Sequence, residues 1–282
     1  MVPPPSSLYT LSFALALLAT LFVAATLRLL AILPNHSTKP VQWRKRPLAT
    51  RVLIVLGSGG HTHEMFYLLR DLDTRKYTHR TYIVSSGDAF SAQRAVEFEK
   101  SLEEREKRER KEGTGEIPVL AVNGTVIKDQ RPARLGSEHY NIAVVPRARE
   151  IHQSIFTTPM SALYTLWKSF GPLLAAPPLL PGAMPTNAYE RAASDLPDLI
   201  ITNGPATAVI VILASLILRF FDFQGANSRA KCKTIYAESF ARVKGLSLSG
   251  KLLSRVVDRF LVQWEELEGK GGGRAEYWGI LV

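Results

Sequence analysis

The residues with the clearest chemical potential form a glycine-rich turn between a predicted strand and a predicted helix. Glycines let a ligand approach the backbone closely. A helix N-terminus presents free N–H groups and a partial positive charge. The turn therefore predicts a phosphate-binding site, with a ligand-free strand-to-helix turn as the alternative. It consists of Gly57, Ser58, Gly59, Gly60, His61 and Thr62.

The turn matches no single cofactor motif. No Gly-Lys-Ser/Thr follows it, and Thr62 stands where a dinucleotide fingerprint needs its third glycine. His61 has the chemistry to accept a proton from a hydroxyl nucleophile or to bond a phosphate oxygen, and a structural histidine is the alternative. His61, His63 and Glu64 lack the spacing of a helical zinc site. We predict no metal site and no cofactor.

Other polar residues follow predicted strands and converge on the same sheet edge, because parallel strands deliver their carboxyl ends there. Arg147, like Arg149, is a phosphate ligand or a solvated surface arginine. Asn203 and Gly204 form a turn with Pro205. Glu238, followed by Ser239, orients a sugar hydroxyl or caps the next segment. These substrate-binding candidates are Arg147, Asn203, Gly204 and Glu238.

Short apolar runs alternating with helical patterns predict an α/β fold with a Rossmann-like parallel sheet. Residues 199–218 form an uncharged run that resembles a second transmembrane helix. The Asn-Gly-Pro sequence near its start favours strand, turn and buried helix instead. The predicted strands are 52–56, 81–84, 142–145, 233–237 and 259–262. One predicted helix begins at 62, and two others span 151–170 and 249–257.

Four segments interrupt this pattern. The charged run 97–116 predicts a solvated helix or a disordered insertion. Residues 171–185 are apolar but proline-rich, which excludes a regular helix or central strand; they pack on the domain or touch a bilayer. Residues 269–273 predict a flexible spacer. The apolar end, 277–282, is expected to dock on another surface.

Composition narrows the class of protein. The chain has 282 residues, of which 46% are hydrophobic and 21% charged, which excludes a disordered chain and a polytopic membrane protein. A net charge of +10 is compatible with nucleic acid, an anionic membrane or a phosphorylated substrate. The single cysteine, Cys232, excludes a disulfide scaffold and favours a reducing compartment.

An amino-terminal segment predicts a membrane anchor. Residues 8–27 carry no charge, and the apolar character continues past Arg28 to Leu33. A cleaved signal peptide is the alternative, but the start is uncharged and the run is long. Basic residues follow the run and none precede it, so the bulk of the chain is expected in the cytosol. The flanking basic residues are Lys39, Arg44, Lys45, Arg46 and Arg51.

Several longer motifs resemble one family, the membrane-anchor subunit of the UDP-N-acetylglucosamine transferase of dolichol-linked oligosaccharide assembly. They are VLGSGGHTHEM, PRAREIHQS, LIITNGPAT, YAESFARVKGLSLSGKLL and FLVQWEEL. The resemblance covers residues 51–282, apart from the charged run and the proline-rich segment. It implies a fold like the amino-terminal half of a GT-B glycosyltransferase, with the donor-binding half on a separate small catalytic subunit.

The resemblance also implies a function. The two subunits transfer GlcNAc from UDP-GlcNAc to GlcNAc-diphospho-dolichol on the cytosolic face of the endoplasmic reticulum or the nuclear envelope. The glycine turn faces the acceptor diphosphate, and His61 occupies the position of a candidate catalytic base. The tail engages the partner through Tyr277, Trp278, Ile280, Leu281 and Val282.

We therefore expect a single-pass anchor at 1–33, a linker at 34–50, an acceptor-side domain at 51–268 and a spacer with a partner-binding tail at 269–282. This chain is not expected to be active alone. A pure recruitment scaffold without acceptor binding is the competing hypothesis, and a self-sufficient nucleotide-dependent enzyme is a weaker one. Nucleic-acid binding is not expected, because the charge clusters near the anchor and no recognised module is present.

Overall fold

A seven-stranded parallel sheet organises the chain, in the strand order β5-β2-β1-β6-β7-β8-β9. The computed structural model describes residues 7–34, 49–111, 118–120, 126–128, 132–149, 157–174, 184–204 and 206–281. A separate antiparallel pair joins β3 to β4. The strands are β1 Arg51–Val55, β2 His79–Ser85, β3 Pro118–Leu120, β4 Val126–Lys128, β5 Tyr140–Val145, β6 Leu199–Asn203, β7 Lys233–Ala237, β8 Arg259–Val262 and β9 Ala275–Tyr277.

Helices cover both faces of the sheet, so the predicted α/β class with a Rossmann-like parallel sheet is confirmed. α2 and α3 pack on one face, and α4, α6 and α7 pack on the other. The helices are α1 Ser7–Ile32, α2 Gly60–Leu68, α3 Ala89–Lys111, α4 Thr158–Leu174, α5 Ala188–Ser194, α6 Thr207–Phe220 and α7 Leu248–Leu253.

The central strand β1 shows why the sheet is buried on both sides. All five of its residues are buried. Val52 and Ile54 join the core under α2 and α3, whereas Leu53 and Val55 join the core under α4 and α6. An unbroken apolar run is typical of a parallel strand that is covered on both faces. Strand order reverses at β1, which pairs with β2 on one side and β6 on the other.

The uncharged run 199–218 forms strand β6, a turn and helix α6, as predicted, and not a second membrane span. Eight residues of α6 are buried, because the helix packs between α4 and the sheet. The strands predicted at 233–237 and 259–262 are confirmed with the same bounds.

The charged run 97–116 contributes to the folded domain more than the sequence indicates. Residues 97–111 form the second half of α3. Glu99 is buried and accepts hydrogen bonds from Arg80 at 2.6 and 2.7 Å and from the Tyr82 hydroxyl at 2.7 Å. Leu102 is also buried. The run is therefore partly an inward-facing helix, and its residues 112–116 lie outside the described residues.

The expectation that residues 171–185 exclude a regular helix is wrong for the first four. Residues 171–174 form the last turn of α4, with Pro172 inside it. The carbonyl groups of Pro172 and Leu173 accept hydrogen bonds from the buried guanidinium of Arg51, which satisfies part of the open helix end. Arg51, one of the basic residues that follow the anchor in the sequence, is buried in β1. Residues 175–183 lie outside the described residues.

The segment predicted as a flexible spacer, 269–273, forms a glycine-rich turn instead. The turn reverses the chain so that β9 pairs in parallel with β8. Tyr277 is thus part of the sheet edge rather than the start of a free tail. Glycine runs occur both in flexible linkers and in turns with positive φ, so the sequence alone does not distinguish a spacer from a turn at this position.

Helix α1 contains a segment, Tyr9–Ile32, that is long and apolar enough to cross a membrane, which indicates membrane anchoring. Its carboxyl end is bonded to the domain. Arg28 donates to the carbonyl groups of Arg219 and Phe220 at the end of α6. In return, Arg219 donates to the carbonyl of Ile32 at 2.8 Å. Arg274 donates to the carbonyl of Pro34.

Candidate functional site

The glycine turn follows β1 at the reversal of strand order, the usual ligand position of a doubly wound sheet. α2 begins at Gly60, and its cap residue Gly59 supplies no side-chain hydrogen bond. α6 begins at Thr207, after β6, and its cap residue Ala206 supplies none either. Two helix N-termini with free backbone N–H groups therefore lie at the same edge of the sheet.

A cavity of about 150 Å³ lies between the first residues of the glycine turn and the start of α6. It brings together four of the predicted site residues from three strand ends. Asn203 is 3% exposed, and its Oδ1 has no hydrogen-bond partner among the described residues. A buried acceptor without a partner is costly, so a donor on a bound ligand would relieve that cost. The four residues are Gly57, Ser58, Arg147 and Asn203.

Arg147 lies at the rim of this cavity after β5. Its Nε donates to the carbonyl of Ser86 at 3.1 Å, and the residue is partly exposed to solvent. That single bond orients the guanidinium while its terminal nitrogens form no hydrogen bond within the described part of the chain. A guanidinium held in this way is suited to a phosphate.

His61 is held tightly on the other side of the turn. A Cβ atom added to Gly57 would lie 2.6 Å from the Cβ of His61, and one added to Gly204 would lie 3.1 Å from its ring. Asn203 Nδ2 donates to the carbonyl of His61 at 2.6 Å. The two glycines are therefore required because the histidine packs between the turns after β1 and β6.

Sequence reasoning did not assign a role to Glu64, which orients His61. Its Oε2 lies 3.3 Å from His61 Nδ1, and its Oε1 accepts from the Ser239 hydroxyl at 2.9 Å. Burial raises the pKa of the Glu64 carboxyl, but hydrogen bonds from His61, Ser239 and the backbone N–H of Phe240 together lower it below its ordinary value. An ionised carboxylate only accepts, so Nδ1 is the donor and the Nε2 lone pair remains available.

The structure places two predicted ligands elsewhere. Thr62 is fully buried, and its hydroxyl contacts the carbonyl of Gly57 and the Ser91 hydroxyl, which ties the turn to α3. Glu238 is 1% exposed and accepts from the backbone N–H and hydroxyl of Ser247. It therefore supports the start of α7, the capping alternative, and its neighbour Ser239 reaches the site instead.

The tail residues lie on the far edge of the sheet, away from the glycine turn. Trp278 is 63% exposed, with the Arg259 guanidinium 5.0 Å from the centre of its ring. Ile280 is also exposed, and Leu281 is partly buried. Val282 lies outside the described residues. Among the described residues, no three His, Cys, Asp or Glu side chains cluster as metal ligands.

Comparisons with known proteins give a consistent picture. Residues 52–281 match the family described as "Oligosaccharide biosynthesis protein Alg14 like". The UDP-N-acetylglucosamine transferase subunit alg14 of Aspergillus fumigatus is 39% identical over 252 residues, covering 77% of this chain and 100% of the relative. The subunit of the same name from Schizosaccharomyces pombe is 35% identical over 239 residues, covering 85% and 87%. That of Mus musculus is 31% identical over 243 residues, covering 86% of each chain.

Among solved structures, the MurG of Acinetobacter baumannii aligns with 82% of this chain and 45% of its own, with 10% identity and a TM-score of 0.44. Arabidopsis thaliana UGT89C1 aligns with 83% and 53%, with 11% identity and a TM-score of 0.39. The family assignment rests on the sequence matches, which extend from β1 to the residue before the last. The chain belongs to the Alg14-like family of oligosaccharide biosynthesis proteins.

Proposed function

We propose that this chain is the acceptor-side, membrane-anchoring subunit of a two-protein glycosyltransferase that adds the second GlcNAc, from UDP-GlcNAc to GlcNAc-diphospho-dolichol. The observation that carries the proposal is the cavity between the glycine turn and the uncapped start of α6, which Arg147 also lines. The unpaired Oδ1 of Asn203 in the same cavity would accept a hydrogen bond from a donor group of the acceptor sugar. Backbone N–H groups and a guanidinium suit a diphosphate. The names of the relatives support the reaction class.

His61 is the candidate base for the acceptor hydroxyl. Nε2 would take the hydroxyl proton while the hydroxyl oxygen bonds to the anomeric carbon of the donor sugar. The bond from that carbon to the UDP oxygen breaks, and UDP leaves with the electron pair. Glu64 fixes the tautomer and stabilises the protonated ring that results.

The donor would be held by a separate catalytic subunit, which this chain recruits to the cytosolic face of the endoplasmic reticulum. The exposed Trp278 and Ile280 beside the edge strand β9 support a docking role for residues 277–282. The excess of basic residues after the anchor supports the cytosolic orientation.

The first test measures GlcNAc transfer from UDP-GlcNAc to a GlcNAc-diphospho-lipid by this chain alone, by the catalytic subunit alone and by both together. We expect product only with both. Deletion of residues 277–282 should release the catalytic subunit from membranes. Gly59→Asp adds bulk and negative charge to the turn and should abolish transfer while retaining the subunit. If that variant keeps full transfer, this chain is a recruitment scaffold only.

A double-mutant cycle tests the pairing of Glu64 with His61. His61→Ala should lower kcat by about 100-fold or more, and Glu64→Gln by about 10-fold. Because Glu64 acts through the histidine, the double variant should be no slower than His61→Ala. Retention of the catalytic subunit and an unchanged KM serve as controls. Additive losses would contradict the assigned role of Glu64, and full activity of His61→Ala would exclude an essential base.

A further inference from the structure

A large groove of the described chain lies outside the cavity of the proposed diphosphate site. It has a volume of about 930 Å³ and runs between α2 and α3. One end is formed by Gly59 and Gly60, so the groove opens directly beside the glycine turn. The other end is formed by Arg105, near the end of α3.

The groove has an aromatic floor and an exposed aromatic rim. Phe66 and Phe98 stack at the base with their ring centres 4.8 Å apart. At the rim, Tyr67 is 44% exposed and Phe90 is 54% exposed. Large apolar side chains lining one exposed channel indicate a binding surface.

Arginines lie along the rim on these exposed rings. The Arg70 guanidinium is 4.7 Å from the centre of the Tyr67 ring, and that of Arg94 is 5.2 Å from the centre of the Phe90 ring. Only Glu97 adds a carboxylate to the lining, where it pairs with Arg94. An apolar floor under a cationic rim suits an amphiphile with an apolar chain and an anionic end.

The direction of the groove is as informative as its lining. Phe90 lies just after the start of α3, at the carboxyl edge of the sheet. Arg105 donates to the carbonyl of Leu72, ahead of β2 at the amino edge. Phe90 and Arg105 are 15 positions apart on α3, so they are separated by about 22 Å along the helix axis. The anchor α1 meets the same amino edge through Arg28 and Arg219, on the other face of the sheet.

We propose that the α2–α3 groove binds the isoprenoid segment next to the diphosphate of the lipid acceptor. This inference rests on the proposed function, because it requires a diphosphate at the glycine turn. The chain would leave that turn between Phe90 and Tyr67 and run along the aromatic floor towards the edge that carries the anchor. The groove would thereby select acceptors by their lipid and not only by their sugar.

The test compares two acceptors in proteoliposomes that contain the full chain and the catalytic subunit. One is GlcNAc diphosphate on a long polyprenyl chain, and the other is GlcNAc diphosphate on a butyl group. The variants are Phe90→Ala and Tyr67→Ala, whose exposed positions should leave folding intact. Phe221→Ala is the matched control, because Phe221 is 74% exposed but lies at the end of α6. Equal thermal midpoints would show that all variants are folded.

We expect each groove variant to lower kcat/KM for the polyprenyl acceptor by about 10-fold, with less than a twofold change for the butyl acceptor and no change for Phe221→Ala. Equal losses for both acceptors, or no loss for either, would overturn the groove assignment while leaving the proposed function intact. No transfer by the unmodified pair to either acceptor would overturn the proposed function and the inference with it.

A photoreactive group on the first isoprene unit gives an independent measurement. Crosslinks should map to peptides of α2 and α3, and the label should decrease in Phe90→Ala. Crosslinking confined to other helices, with normal transfer, would overturn the inference.

Discussion

The two edges of the sheet use their polar groups in opposite ways. At the amino edge, two buried arginines are held by several hydrogen bonds each: Arg80 binds Glu99 and two backbone carbonyls, and Arg219 binds Asp258 and the carbonyl of Ile32. At the carboxyl edge, two helices start without side-chain caps and Asn203 Oδ1 is unpaired among the described residues. The first edge holds the fold and the anchor together, and the second leaves polar groups available to a ligand.

Removing the buried ion pair between Arg80 and Glu99 at the amino edge should have the largest effect, and the effect should be on stability. Arg80→Met leaves Glu99 and the Tyr82 hydroxyl buried without their cation, so we expect the free energy of unfolding to fall by about 3–5 kcal/mol. Denaturant unfolding of the full chain in detergent micelles measures this. The control is Lys107→Ala, which removes an exposed ion pair with Glu103 and should cost at most about 1 kcal/mol. Similar losses for both variants would show that burial of the pair does not matter.

At the carboxyl edge, a small change should affect transfer more than folding. The added methyl group of Gly57→Ala would overlap the Cβ of His61, whereas one added at Gly171, within α4, meets nothing within 4 Å. Because a displacement of about 1 Å can cost about 100-fold in rate, we expect that loss of kcat for Gly57→Ala and less than a twofold change for Gly171→Ala. Transfer assays with the catalytic subunit present distinguish them. Equal activities would mean that the position of His61 is not critical.

His79, also at the amino edge, differs from Arg80 and Arg219, because its Nε2 is buried without a partner among the described residues. Burial, together with the charges of Arg51 and Arg80, lowers the pKa of His79 from 6.5 to about 3. The unfolded chain therefore binds a proton that the folded chain does not, and stability present above pH 6.5 is lost as the pH falls towards 3. The slope is about 1.4 kcal/mol per pH unit.

The variant His79→Leu isolates this contribution. Burial also lowers the pKa of His139, so acid sensitivity should be reduced in the variant but not abolished. Unfolding curves at pH 7, 6 and 5 provide the comparison. Parallel pH dependence in the two proteins would show that His79 does not remain neutral in the folded state.

The sequence was most informative where a single local pattern determines the structure. Short, largely apolar runs predicted β7 and β8 with the correct bounds, and the Asn-Gly-Pro sequence after β6 separated that strand from a membrane span. The glycine turn and His61 were likewise identifiable, since a strand, glycines and a helix follow one another directly. Anion binding at this turn stays a prediction until a ligand is measured.

Contacts between distant residues could not be predicted in the same way. Ser239 reaches Glu64 across 175 positions, and nothing local distinguishes it from Glu238, which faces the start of α7. The Thr62 hydroxyl points inward because Ser91 on α3 faces it. In the charged run, nothing in the sequence distinguishes Glu99 from its exposed neighbours, because its burial depends on Arg80 from another element. Only Glu64, three residues after His61 on one helix, could have been found from spacing alone.

The bonded junction between α1 and α6 would affect how the protein encounters the proposed lipid acceptor. Ile32 is buried against the domain and its carbonyl is held by Arg219. The domain is therefore fixed to the end of α1 and is not joined to it through a flexible tether. A membrane-anchored chain of this kind would diffuse in the plane of the bilayer with the carboxyl edge of its sheet at a fixed distance from the membrane. Encounters with a lipid acceptor would then be a two-dimensional search, whose rate follows lateral diffusion and the areal density of the lipid rather than any bulk concentration.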